Sequence, residues 1–158
     1  MLRAVATSLM LCFAFVPCLS AQVRVTVPGK KFVADKKIVA TVENDGGEWV
    51  TICVESGQIS KSGQAAVSTP VPFAIEKRSM REKWMPLMVS PEGGGSGKPV
   101  VLEPKKSLDF PFWPPATGNL RLQMRYWPGA HPEMDCAHAP GETRNAKAVE
   151  FSVHAAPK

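Results

Sequence analysis

The chain has 158 residues, 44% of them hydrophobic, enough for one domain with a sizeable core plus a leader, so disorder is excluded as the default. Its formal charge of +5 gives weak attraction to anionic surfaces, and no aromatic-interleaved basic patch marks a nucleic-acid module. The 15 prolines and 12 glycines lie between apolar runs and form no tract, the pattern of many short strands joined by turns.

Residues 1–21 read as a secretory signal peptide: Arg3 supplies a short positive region, 4–16 are almost continuously apolar, and small residues follow Pro17. The apolar run is shorter than the roughly 18 to 20 residues of a spanning helix, and no later stretch is long enough, so no membrane span is expected after cleavage. An uncleaved anchor and a lipoprotein attached through Cys18 are the alternatives. Against the second, Pro17 stands where lipoprotein signals carry a small residue. The expected organisation is a signal peptide at 1–21, a single domain at 22–154 and a tail at 155–158. The expected location is the periplasm or the external medium.

The mature chain opens with a strand at 22–27, where Val23, Val25 and Val27 alternate with Arg24 and Thr26; Pro28-Gly29 ends it. A second strand over 37–43 places Ile38, Ala40 and Val42 on one face, and Asn44-Asp45-Gly46-Gly47 reads as a hairpin turn. Residues 49–54 are apolar on both sides, as in a strand covered on both faces. The polar stretch 57–69 reads as an exposed loop. Short strands follow at 73–75 and 84–89, the latter at a sheet edge or kinked because Pro86 has no N–H to give a ladder. The run EGGGSG at 92–97 reads as a flexible loop. Residues 100–102 and 108–112 flank Pro104-Lys105-Lys106, with Leu108, Phe110 and Phe112 sharing a face.

The cleanest alternation lies at 120–127. Leu120, Leu122, Met124 and Tyr126 point one way and Arg121, Gln123, Arg125 and Trp127 the other, predicting a strand near the centre of the fold. Pro128-Gly129 breaks it, and Val149, Phe151 and Val153 mark the last strand. No segment beyond the leader keeps a helical period. Seven to nine short strands in one domain predict an all-β, two-layer sandwich.

Two cysteines, Cys53 and Cys136, remain after cleavage. In an oxidising compartment they have one intramolecular pairing, which ties the loop after the central strand to an earlier strand. A redox or nucleophilic thiol is the competing reading, and no CxxC supports it. The same loop, AHPEMDCAHAPGE at 130–142, holds His131, Glu133 and His138, the candidate metal ligands. No regular spacing puts the two histidines on one face, so the loop reads first as polar surface; metal binding is the alternative function, and no cofactor is expected.

An enzyme is not expected either. There is no GxSxG, the serines fall mainly in loops without a nearby histidine, and the glycine-rich run lacks the GKS or GKT ending of a phosphate loop. Exposed indoles on a sandwich face stack on sugars or anchor partners. Trp127 shares the polar face of the central strand with Arg121 and Arg125, and Trp113 sits among prolines, so Trp113, Trp127, Arg121 and Arg125 are the candidate binding residues. The plainer reading is that each tryptophan packs under a loop or plugs an end of the core.

The ordered segments TVENDGGEWVTICV, PFAIEKRSMREKWMPL, VVLEPKKSLDFPF and LRLQMRYWPG resemble bacterial exported immunoglobulin-like domains, and part of the order resembles BsuPI-type proteinase-inhibitor domains. The resemblance covers residues 23–153. It departs from the antibody pattern, because the second cysteine follows Tyr126 by ten residues instead of two. It implies a two-layer antiparallel immunoglobulin-like sandwich. The function expected is that of a monomeric, non-catalytic exported module that binds a protein, a proteinase among them, or an anionic surface polymer through its loops.

Overall fold

The computed structural model describes residues 22–61, 64–87, 97–138 and 141–157; residues 1–21, expected to be a signal peptide, and residues 92–96 of the glycine-rich run lie outside them. The strands are β1 (Val23–Thr26), β2 (Lys31–Val33), β3 (Ile38–Asn44), β4 (Val50–Lys61), β5 (Gln64–Val71) and β6 (Phe73–Arg78). They continue with β7 (Trp84–Pro86), β8 (Lys98–Leu102), β9 (Ser107–Phe112), β10 (Gly118–Pro128), β11 (Arg144–Asn145) and β12 (Val149–His154). One sheet has the order β1-β3-β9, and the other nine strands form the second sheet. No helix among the described residues is long and apolar enough to cross a membrane.

The described residues therefore form an all-β, two-layer sandwich, as their alternation predicts. β10 is the spine of the larger sheet. Its first half lies between β6 and β12, and its second half pairs with β11 and β4. Leu120, Leu122, Met124 and Tyr126 are all buried, as the period of two requires. They meet the inner face of the smaller sheet, where Ile38, Ala40, Val42 and Phe112 are completely covered. Phe112 joins the layers: its ring meets Phe73 edge-on at 5.3 Å and Phe151 at 6.3 Å. A fully buried side chain of this size contributes about 1.5–3 kcal/mol.

The fold departs from the sequence reading in several places. Twelve strands form among the described residues, more than the seven to nine expected. Two of the extra ones, β2 and β11, are short, and β2 joins β12 in parallel, a pairing that no local hairpin signal announces. The stretch 57–69, read as a loop, is mostly the arms of a β4–β5 hairpin, with Gln58 opposite Ser68 and Ile59 opposite Val67. Polar residues can complete a backbone ladder without offering an apolar face to detect.

The Asn44–Gly47 turn does not close a hairpin. It carries the chain from β3 in the smaller sheet to β4 in the larger one. The buried Asn44 amide stabilises that arch: Nδ2 donates to the Glu48 carbonyl at 2.7 Å and to the Leu102 carbonyl at 3.1 Å, and Oδ1 accepts the Gly46 N–H at 3.1 Å. Its backbone also exchanges hydrogen bonds with Lys105 and Lys106, in the turn that takes β8 across to β9. One residue thus ties two of the crossings between the sheets, β3 to β4 and β8 to β9. Of the expected strand at 84–89, β7 is Trp84–Pro86, and among the described residues it pairs with β6 alone, the edge position expected from Pro86; residues 88–89 lie outside the described residues.

Candidate functional site

Two regions of the larger sheet bear on function, one at each end of β10. The first is the loop after β10. Thr51 and Cys53 alternate with Val50 and Ile52 and so face outward from the core. Thr51 is nevertheless completely buried, because the loop folds over it. The Cys53–Cys136 disulfide closes this arrangement, with Cα atoms 5.8 Å apart across 83 positions. One face of the segment 49–54 meets the core; on the other, the disulfide-anchored loop covers Thr51 and leaves Trp49 exposed. Gly129 makes the turn out of β10 at φ 92°, where a side chain is strained and a Cβ would press on the His131 ring at 3.1 Å.

The same loop shows what became of the metal candidates. His131 Nε2 is hydrogen-bonded to the Pro128 carbonyl at 2.8 Å, and His138 Nδ1 to the Asp135 carboxylate at 2.9 Å. The His138 ring first, and the Ala137 N–H second, hold the Asp135 carboxyl below its ordinary range. No group of three His, Cys, Asp or Glu side chains among the described residues converges on a metal position, so the structure does not bring His131, Glu133 and His138 together.

The second region is the outer face of β2, β12, β10, β6 and β7. Register puts outward side chains in line across it: Lys31 lies opposite Ser152, Ser152 opposite Asn119, and Arg78 opposite Trp84. One step along, Arg121 stands between Glu150 and Glu76. A shallow pocket of about 310 Å³ opens on this face. Lys30, Lys31 and Arg78 supply its positive charge, Trp84 its aromatic surface, and Asn119, Ser152 and Glu150 its neutral and acidic polar groups.

The aromatic element is held from outside the pocket. Arg121 Nε donates to the Glu76 carboxylate, and its guanidinium lies 4.5 Å from the centre of the Trp84 ring. A cation over an indole face contributes about 0.5–2 kcal/mol and also fixes the plane of the ring. Arg78 makes an exposed ion pair with Glu82 at 3.4 Å, a contact of small energy that leaves the guanidinium able to turn. Ser152 Oγ donates to the Lys30 carbonyl at 3.2 Å and lies 3.4 Å from His154 Nε2. The latter distance exceeds the about 2.6–3.2 Å of a nucleophile and its base.

The four expected binding residues are thus scattered. Arg121 belongs to this face and supports the pocket wall; Arg125 is exposed farther along the strand, outside the pocket lining. Trp113 and Trp127 are half-buried and do not line the pocket, and the Trp127 indole N–H is buried without a hydrogen-bond partner. Sequence reasoning missed Lys30, Lys31, Arg78 and Asn119. The outward phase of β6 and β10 holds a signal for Arg78 and Asn119, but nothing local joins the lysines to them.

No family model matches the chain, and no curated protein matches it. Among solved structures it is similar to the ASH / PapD-like domain of human CEP192 (PapD-like domain 7), at 13% identity over 97% of this chain and 96% of that one, with a TM-score of 0.33.

Proposed function

We propose that the chain is an exported, non-catalytic sandwich module that binds an anionic surface polymer, and that it does so through the outer face of the larger sheet instead of its loops. The observation that carries this reading is the convergence of Lys30, Lys31 and Arg78 beside Trp84 around one open pocket. Cations with an aromatic platform attract an extended polyanion and orient it. Export is supported by the leader-like residues 1–21 and by the bonded cysteines, since such bonds persist outside reducing compartments. A non-catalytic role is supported by the same bond, which leaves neither Cys53 nor Cys136 a free thiol.

Co-sedimentation of the oxidised chain with insoluble envelope polymer tests the reading. The expected result is saturable binding that weakens with salt and falls in the Lys30→Ala/Lys31→Ala/Arg78→Ala variant. Binding that does not saturate, or that the triple variant retains, rejects it.

A second reading, docking to a protein, is favoured by the tip between β6 and β7. Met80 is fully exposed there on a turn held by Ser79 N–H to the Lys83 carbonyl at 2.8 Å and Glu82 N–H to the Ser79 carbonyl at 3.0 Å. Capture of a defined envelope protein that is lost in Met80→Asp would favour it.

A further inference from the structure

The polymer reading leaves open what repeating unit the pocket accepts, and its mixed chemistry narrows the choice. We propose that it takes one acidic pyranose, a hexuronate-class unit, from an anionic polysaccharide; this rests on the polymer reading above.

At about 310 Å³ the open pocket is at the small end of ligand sites and has room for one sugar ring. Trp84 gives a pyranose the flat apolar surface on which its C–H face packs. Arg121 packs on that indole without lining the pocket itself, so the platform is set before a ligand arrives.

The polar groups divide in a way that fits a sugar acid better than a phosphate chain. Arg78, Lys30 and Lys31 provide for a carboxylate, and a guanidinium can grip one with two parallel hydrogen bonds. Glu150 lies in the same lining. A phosphate-dense polymer would bring repeated charge against that carboxylate. A uronate has one charge per ring, and its hydroxyls can donate to Glu150. Asn119 offers a donor and an acceptor to further hydroxyls. The Ser152 hydroxyl proton is directed to the Lys30 carbonyl, so its oxygen is left to accept.

Calorimetric titration of the oxidised full chain with an oligogalacturonate, its carboxyl-reduced neutral counterpart and inorganic polyphosphate tests the assignment. The oligogalacturonate should bind best, and the neutral counterpart about tenfold or more weaker. Trp84→Ala should weaken the acidic oligomer about tenfold, and Trp84→Phe should keep most of the affinity. Glu150→Gln should weaken the oligogalacturonate and strengthen polyphosphate. Unchanged thermal unfolding separates these effects from loss of fold. If polyphosphate binds more tightly and Trp84→Ala changes neither ligand, the uronate assignment is overturned while the polyanion reading stands. If neither polyanion binds, both fall.

Discussion

The Thr51 hydroxyl accepts the backbone N–H of His131 at 2.8 Å, 80 positions along the chain. It also donates to the Gly129 carbonyl at 2.8 Å, so one buried threonine closes both ends of the turn that leaves β10. Thr51→Val keeps the shape and removes both bonds. The expected cost is about 1–3 kcal/mol, because two backbone groups lose their partner under the loop. Urea unfolding with an unchanged slope measures it; a loss under a few tenths of a kcal/mol would mean that water replaces the hydroxyl.

The disulfide acts on the same loop through the unfolded chain. A bond spanning 83 positions restricts the denatured ensemble by about 4–5 kcal/mol on the chain-entropy account. Cys53→Ala/Cys136→Ala should therefore unfold at much lower denaturant than the oxidised chain and match the reduced wild type closely. Equal midpoints for oxidised and reduced protein would refute this. Because Thr51 holds the turn independently, the double variant should keep its near-ultraviolet signature at low denaturant.

Asn44→Asp exchanges an amide that donates to two carbonyls for a carboxylate that repels them. Burial and those carbonyl oxygens both raise the folded-state pKa of the new group. Its neutral form is tolerated below about pH 4, the unfolded value, and stability is lost as pH rises through the folded value. The variant should be less stable than wild type throughout, with the gap widening from acid to neutral pH. A gap independent of pH would contradict the arrangement around Asn44.

Asp135 titrates the other way. Its folded pKa is lowered, first by His138 and then by the Ala137 N–H, so any stabilisation is present above the unfolded value near 4 and is lost as pH falls through the folded one. Carboxyl-carbon NMR should place its midpoint below those of ordinary aspartates, and His138→Ala should return it upward. The group is solvent-exposed, so only the midpoint is expected to move measurably.

Methionine exposure gives a check that needs no variant. Met80 is 106% exposed and Met85 56%, against 1% for Met124. Mild peroxide should convert Met80 and Met85 to sulfoxide first and spare Met124 until the protein unfolds. Peptide mass spectrometry follows each site. Early oxidation of Met124 would place the β10 side chains outside the core.

What the sequence determined by itself is what depends on neighbours in the chain or on counting. Leu120, Leu122, Met124 and Tyr126 reveal their face because side chains in an extended strand alternate, and burial enforces that alternation. Cys53 and Cys136 are the two cysteines beyond residues 1–21, so they have no other partner there. What only the tertiary structure decided is what depends on which strands become neighbours. The sequence motif at Asn44 looks the same whether the turn closes a hairpin or crosses between sheets; its contact with Leu102, 58 positions away, decides it. The pocket is more distant still. Lys30 meets Ser152 across 122 positions because β2 lies parallel to β12, and Trp84 reaches Arg121 across β6. Those residues are ordinary surface charges and one edge tryptophan until backbone pairing sets them side by side, and local periodicity has no information about that pairing.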